Sequence, residues 1–535
     1  MKHKTMKNIL PVLLAGMMLF SCSKKLDLFP QNDFTSQNAY TNAAGYRSVL
    51  AKVYGGLATS GNAGPAGASD IQGLDEGSQS PFIRGFFNCQ ELPTDEAVVS
   101  WNDQTIKDFH NLSWSSSDPF LKGIYARLVY NVMVANEYLR ESTDEKLASR
   151  GITGNDATNI QASRAEARFI RAFNYWAMMD LFGRGTFIDE TNSVGTTLPK
   201  EKLRGDLFTY IETELKAIET TLKAPRSMEY GRVDQGACWA LLARMYLNAQ
   251  VYTGNARFTD AITYALKVIN GGYTLHSNYR ELFMADNDKR IGEIIFAVGC
   301  DGLRTKSYGN TSFFCHAAAG DDANDFGING GWYGYRSTKG LADRFSDLTG
   351  ATDRRAMFIT SAFGVSPAQI AISDIGNFGN GLHVSKWRNI RSDGLGVSDV
   401  NRDFADIDFP VFRLSEMLLI YAEAVLRGGT GGDAATALTY VNRIRQRAFG
   451  NSSGDINSSQ LNTDFILDER ARELYWEGHR RTDLVRYNRL TTGTYLWPWK
   501  GGVASGTSVD NKYNIFPIPA SNRTANPNLS QNPGY

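Results

Sequence analysis

Carboxylates are the first residues in this chain whose types and spacing could do chemistry. Asp95 and Glu96 are adjacent, Asp103 follows, and Trp101 lies among them. Two carboxylates beside an aromatic ring are what glycoside hydrolysis needs, one to protonate the leaving oxygen and one to act as base or nucleophile. Thr94-Asp95-Glu96 is equally natural as a turn or a helix cap, so the group implies no reaction until a separation is known. Gly450-Asn-Ser452-Ser-Gly454 fits Gly-x-Ser-x-Gly. A nucleophile elbow needs a strand before the serine and a helix after it. Here a helical pattern precedes and a polar loop follows, which sets Ser452 aside. Asp321-Asp322-Ala-Asn324-Asp325 gathers oxygen donors as a calcium loop does, but Phe326 stands where a third Asp or Asn is required before Gly327. That segment reads as a solvated loop.

Aromatic residues offer a different chemistry. The chain carries 29 phenylalanines, 24 tyrosines and 9 tryptophans, and some lie in polar, glycine-rich surroundings where core packing explains them poorly. Trp101 sits in Val98-Val-Ser-Trp-Asn-Asp-Gln104, a large apolar ring among short polar side chains. Trp332, Tyr333 and Tyr335 sit in Gly330-Gly-Trp-Tyr-Gly-Tyr-Arg336. Tyr308 and Trp387 are further candidates. Sugars present apolar C–H faces and equatorial hydroxyls, so they call for flat rings with Asn, Asp, Gln and Arg nearby. The candidate ligand-binding set is Trp101, Asn102, Asp103, Gln104, Tyr308, Trp332, Tyr333, Tyr335 and Arg336. The competing reading buries these rings under loops as satellite cores.

Other classes are disfavoured. The 56 basic and 56 acidic residues cancel, without the basic footprint of nucleic-acid binding. Six scattered histidines, no His-Glu-x-x-His and no Cys-x-x-Cys give no zinc site, and nothing calls for a cofactor. Cys89, Cys238, Cys300 and Cys315 are expected as buried free thiols, with a Cys300–Cys315 bridge as the alternative in an oxidising compartment.

The elements that must position these residues are mainly helical. Helices are predicted over 164–181, 203–222, 234–246 and 258–269, and again over 412–427 and after caps at Asp433 and Asp464. Gly183, Gly271-Gly272, Gly428-Gly429, Gly450 and Gly478 supply the stops. Trp239-x-x-Leu242-Ala243-x-x-Tyr246 has the spacing of a tetratricopeptide first helix, loosely echoed from Leu418. The expected fold is mainly α, a tetratricopeptide-like scaffold of helix pairs. From Gly299 to Gly396 the texture changes: 16 of the 51 glycines lie there, so loops and short strands are expected. Its aromatic content makes this irregular region the expected ligand-binding part. Asp468 to Arg486 is dense in charge, and Glu469, Glu473, Arg470, Arg472, Arg480 and Arg481 are expected to form ion-pair ladders between two packed helices.

The N-terminus is an export signal. Lys2, Lys4 and Lys7 precede an apolar run from Ile9 to Phe20, which is too short to span a bilayer. Leu19-Phe20-Ser21-Cys22 resembles the lipobox of bacterial lipoproteins, in which the cysteine is acylated and becomes the mature N-terminus.

The ordered blocks along the chain resemble the SusD/RagB family, surface nutrient-binding lipoproteins of Bacteroidetes-type bacteria. They include Val53-Tyr54-Gly55-Gly56-Leu57, Arg164-Ala-Glu-Ala-Arg-Phe-Ile-Arg-Ala-Phe-Asn-Tyr-Trp, Ala240-Leu-Leu-Ala-Arg-Met-Tyr-Leu and Phe412-Arg-Leu-Ser-Glu-Met-Leu-Leu-Ile-Tyr-Ala-Glu-Ala. The most specific are Leu467-Asp-Glu-Arg-Ala-Arg-Glu-Leu-Tyr-Trp-Glu-Gly-His-Arg-Arg-Thr-Asp-Leu-Val-Arg and the tail Asn526-Pro-Asn-Leu-Ser-Gln-Asn-Pro-Gly-Tyr. The resemblance implies a signal peptide over 1–21, an N-terminal region over 22–272 with the helical-repeat scaffold, and a C-terminal region over 273–535. The last divides into an irregular part (299–410), a helical part (411–490) and a tail (491–535). It also implies a non-catalytic protein held at the outer membrane by a lipid on Cys22, binding glycans and passing them to a SusC-like TonB-dependent transporter. Peptides or other nutrients are the alternative ligands, and a lipid-anchored glycoside hydrolase is the more distant alternative. Lys24 and Lys25 follow the cysteine where some such lipoproteins carry acidic residues that favour outer-leaflet display. Outer-membrane attachment is therefore a firmer expectation than display at the cell surface. Each buried methylene of an acyl chain contributes ~0.8 kcal/mol, so two or more chains anchor stably. Cys22→Ala is expected to leave a folded protein in the soluble fraction; a variant that still sediments with outer membranes stripped of the transporter would remove the lipid reading.

Overall fold

Helix pairs form the scaffold and a loop-rich region leans on it, in a computed structural model that describes residues 36–192, 195, 198–360 and 370–535. The signal segment and Cys22 lie outside the described residues. Helix α1 (Ala43–Ala58) starts on Asn42, whose side chain accepts the Gly45 N–H at 3.0 Å. Helix α2 (Phe82–Glu91) is buried along its length and leads into strand β1 (Ala97–Val99). Helix α3 (Pro119–Glu141) begins on Asp118, which accepts the N–H groups of Phe120 and Leu121, both at 2.9 Å. Pro119 sits in its first turn, where no N–H is needed. Helix α4 (Gly154–Phe182) buries Phe169, Phe173, Trp176 and Ala177, and ends at Gly183 with φ 67°, whose N–H returns to Met179 O. It starts ten residues before the predicted segment because its first turns are polar and mostly exposed, so they show no apolar period. Helices α5 (Arg204–Ile218), α6 (Gln235–Leu247) and α7 (Phe258–Ile269) follow their predicted segments to within about a turn.

The second half opens with strand β2 (Ile294–Val298), helix α8 (Thr311–Ala318), strand β3 (Tyr335–Ser337), and the two-residue strands β4 (Phe358–Ile359) and β5 (His383–Val384). Its glycines keep these elements short, as expected. Strand β6 (Phe409–Arg413) takes the first residues of the predicted 412–427 helix by pairing with β2, and helix α9 (Leu414–Leu426) follows. Helix α10 (Ala434–Phe449) is capped by Asp433 through the Thr436 N–H at 2.8 Å. Helix α11 (Thr463–Leu474) is capped by Asn462, not Asp464, through the Phe465 N–H at 2.9 Å, and helix α12 (Arg480–Arg486) closes the block. Helix α3 packs on α1 and α4, α4 on α5, α6 on α7, α7 on α9, and α9 on α10 and α11. This serial pairing is the tetratricopeptide-like scaffold the repeat spacing implies. Among the described residues no helix is long and apolar enough to cross a membrane.

The charges of the 468–486 block are buried and paired, but mostly not with one another. Of the expected set, Glu469 and Arg472 pair at 2.8 Å within one helix, and Arg470 reaches across to Asp483 at 2.7 Å. Glu473 instead meets Arg447 at 2.6 Å and Arg413 at 3.1 Å, and Glu469 meets Arg355 at 2.7 Å and Arg445 at 2.8 Å. Arg413 also holds Glu293 and Glu477, each at 2.7 Å, and Lys386 holds Glu477 at 2.6 Å. Burial alone would raise the Glu473 carboxyl, but Arg447, Arg413 and Arg355 bring it down to about 2. Glu469 and Glu473 thus belong to a network that ties α11 to β6, α10, the residue before β2 and the irregular region. Removing one member leaves its partners charged in a low-dielectric interior, at about 3–5 kcal/mol. Glu473→Gln is therefore expected to lower the urea midpoint strongly, whereas Lys339→Ala, which breaks an exposed pair with Asp343, leaves it nearly unchanged; similar midpoints for both would show that the network is not under tension.

Candidate functional site

Strands β1 and β3 pair antiparallel, Ala97 with Ser337, Val98 with Arg336 and Val99 with Tyr335. The ladder continues as Ser100 N–H donates to Gly334 O at 2.8 Å, and the Trp101 Nε1–H donates to Trp332 O at 3.0 Å. The two aromatic segments singled out in the sequence therefore meet. Trp101 and Trp332 lie 6.4 Å apart between ring centroids, tilted at 51°, and Tyr308 lies 6.0 Å from Trp332. All three are half-buried. Gly334 is needed here, because a Cβ at that position would collide with the Trp101 indole. His316 stacks on Trp332 at 4.7 Å and 18°, with Nδ1 2.6 Å from Gly330 O and Nε2 2.9 Å from Asp403 O. Trp332 N–H donates to His316 O at 2.7 Å. The indole is thus fixed by its backbone and propped on one face.

Tyr333 is half-buried with φ 55°, a left-handed conformation that is uncommon for an aromatic residue. Asn102, Asp103 and Gln104 are exposed on the turn after Trp101, and Asn102 Oδ1 accepts from Lys107 Nζ at 2.6 Å.

Three expected contact residues are placed inside instead. Tyr335 is fully buried, its hydroxyl donating to Asn88 Oδ1 at 2.6 Å and its ring 5.0 Å from Phe313. Arg336 is fully buried, donating to the carbonyls of Tyr335 (3.0 Å) and Phe378; burial pushes its guanidinium down to about 10. Strand β3 is covered on both faces, so alternation along it brings neither side chain to the surface. Trp387 is likewise core, stacked 5.7 Å from Phe409 at 16°, with Nε1 donating to Trp476 O at 3.2 Å.

Two residues near the rings drew no attention in the sequence. Arg84 is buried with its guanidinium 4.3 Å from the Phe313 centroid and 5.7 Å from that of Trp101. It donates to Gly77 O at 3.0 Å and forms no ion pair among the described residues. The signal was a lone cation inside the apolar run Phe82-Ile-Arg-Gly-Phe-Phe87. Asp75 is exposed in the loop whose Gly77 abuts Tyr308, and accepts the Ser78 N–H at 2.8 Å.

The other candidate chemistries lose their residues. Asp95 is fully buried and ion-paired to Arg480 and Arg344, each at 2.6 Å. Glu96 is buried beside it, so neither carboxyl accompanies Trp101 at the surface. Cys300 and Cys315 are buried free thiols. Asp322 accepts the Gly320 N–H at 2.6 Å and lies 3.0 Å from His383 Nδ1; among the described residues no three His, Cys, Asp or Glu side chains gather as a metal site.

A helix-pair scaffold that displays half-buried rings from long loops is the architecture of a binding protein. The chain belongs to the SusD family: residues 364–535 match that family. Over all of both chains it is 37% identical to the starch-binding protein SusD of Bacteroides thetaiotaomicron. Among solved structures, a SusD homologue from Bacteroides thetaiotaomicron superposes with TM-score 0.72 at 18% identity, over 94% of this chain and 98% of that one. Surface glycan-binding protein A from Bacteroides thetaiotaomicron, in complex with laminarihexaose, superposes with TM-score 0.68 at 19% identity, over 91% and 98%. At such identities these two structures establish the common fold.

Beneath the ladder lies a titratable pair. Glu91 Oε1 accepts the N–H groups of Gly478 (2.6 Å) and His479 (3.3 Å), while its buried Oε2 meets no donor. Burial pushes this carboxyl up to about 7. Burial, and then the Glu91 charge, raise Glu96 well above the ordinary range. Each carboxyl opposes the ionisation of the other in this interior, so the pair is expected to hold one proton between them. Arg480 lies 3.6 Å from Glu96, Asp95 stays ionised beside it, and Lys386 is pushed down by burial to about 8. A raised carboxyl pKa contributes stability that is fully present below the unfolded value and lost as pH rises through the folded one. Glu96→Gln removes the shared proton and offers an N–H to Glu91 Oε2. Its unfolding free energy is expected to gain on wild type between about pH 5 and 7.5, by up to about 1.4 kcal/mol per pH unit; parallel profiles would rule out the shared proton.

Proposed function

We propose that this protein is a non-catalytic glycan-binding lipoprotein of the bacterial outer membrane that delivers its ligand to a SusC-like TonB-dependent transporter. The observation that supports it best is the meeting of Trp101, Trp332 and Tyr308 at the surface, with Asn102, Asp103, Gln104 and Asp75 exposed nearby. Rings of this kind stack on apolar sugar faces, and the polar side chains match hydroxyls. The full-length likeness to a starch-binding protein favours a glycan over a peptide. The acid pair that the sequence offered for hydrolysis is gone, because Asp95 is bound to arginines and Glu96 is buried with Glu91, away from Asp103 at the surface. Attachment rests on the lipid at Cys22, and the transporter partner on the family resemblance.

A shallow platform in water binds weakly, about micromolar to millimolar, or roughly −8 to −4 kcal/mol. Ring stacking contributes about 0.5–1.5 kcal/mol beyond burial. Calorimetry with maltoheptaose and laminarihexaose tests the reading. Trp101→Ala and Trp332→Ala are each expected to weaken binding about tenfold while the protein stays folded and the sugar is recovered intact. Unchanged affinity in both, or release of reducing ends, would overturn it.

A further inference from the structure

A further ring lies on the turn that precedes strand β5, at Phe378. Strand β5 lies next to β3, with Ser337 N–H donating to Leu382 O at 2.9 Å, and the turn of residues 373–381 feeds it. One end of this turn approaches the segment that follows Trp101. Gly376 stands against Lys107 Nζ, 3.8 Å from the position a Cβ would take, and Lys107 is the donor to Asn102, the residue after Trp101. At its other end Gly381, with φ 85°, packs directly on Arg336. Tyr333 lies edge-on to His383 in strand β5 at 6.3 Å, while its neighbour Trp332 packs against Tyr308.

Phe378 is at the tip of the turn and is 43% exposed, the one aromatic ring among the exposed large apolar side chains of the described residues. Single exposed aliphatic side chains are ordinary on a protein surface. Here the backbone that carries an exposed ring is tied to the interior. Arg336 makes no ion pair among the described residues; its buried guanidinium donates to the Tyr335 carbonyl and to that of Phe378. Burying a cation without a counter-charge is costly, and here its hydrogen bonds fasten the Phe378 turn to the strand that carries the platform.

We infer that Phe378 forms an outlying subsite of the groove, positioned by Arg336, which stacks on sugar units beyond those held by Trp101 and Trp332. This rests on the glycan reading above, and it specifies the ligand class: linear oligosaccharides long enough to span from the tryptophans to Phe378. The full mature chain is titrated calorimetrically with maltotriose, maltopentaose and maltoheptaose, and with the laminari-oligosaccharides from trimer to hexamer. Wild type is expected to bind the longest member of at least one series more tightly than its trisaccharide. Phe378→Ala should remove most of that gain, about five- to tenfold, with trisaccharide affinity unchanged. Arg336→Gln should show the same length-selective loss if it folds, and Phe378→Trp should keep the gain. A Phe378→Ala variant equal to wild type at every length, or weakened equally at every length, overturns the subsite while the platform stands. A wild type with no gain over length overturns it as well. A wild type that binds neither series overturns the glycan reading and the subsite together.

Discussion

Three residue pairs of antiparallel ladder hold the candidate site together. Trp101 and Trp332 are 231 residues apart in the chain, and only the pairing of Ala97–Val99 with Tyr335–Ser337 brings their rings to one surface. So short a ladder does not offset the entropy of closing such a loop; its surroundings must fix it. Asp95, two residues before the strand, is clamped by Arg480 and Arg344. The Glu96 carbonyl accepts from both Thr338 N–H and Trp476 Nε1, each at 3.4 Å. The strand is thus gripped from the helix block at the far end of the chain.

That block is itself held by charge. Buried ion pairs repay their desolvation only with good geometry and full hydrogen bonding, and add little net stability compared with apolar packing. Their use here is directional. Arg413 can satisfy Glu293, Glu473 and Glu477 together only when β2, β6 and α11 adopt one arrangement. Apolar packing alone tolerates small slides between helices, whereas a displaced network leaves ions unpaired. The segment from Asp468 to Arg486, the most recognisable run in the sequence, is therefore the part that sets the relation between scaffold and site.

The scaffold was legible because its helices have one buried stripe and capped ends. Asp433 caps where the sequence places it and Gly183 stops α4, while Asp234, read as the first residue of its helix, is the N-cap. Helix α3 was not predicted, because it lacks a clean apolar period, being buried against α1, α2 and α4 on several sides. Composition located the irregular region and its ring-bearing segments, but one residue's shift along a strand decides inside from outside. Tyr335 and Arg336 carry the same sequence credentials as Trp332 and Tyr333, yet the ladder with β1 places them in the core. Arg84 comes to the rings through a tertiary contact, for which the lone cation in an apolar run was the one local sign.

The two readings of the aromatic segments, ligand platform or satellite core, are not exclusive. Trp101 packs edge-on to Tyr335 at 5.2 Å and to Phe313 at 6.2 Å, so one side of the ring belongs to the core. Trp332 is covered by His316 on one face and tied through its backbone at both N–H and carbonyl. A ring free to rotate would lose side-chain entropy on meeting a ligand; a ring already packed on one side has lost it during folding. Weak contacts with a flexible chain in water leave little free energy to order the protein as well. A platform for such a ligand is best made from rings that the core has already fixed, and the half-buried state of Trp101, Trp332 and Tyr308 meets that requirement of the proposed site.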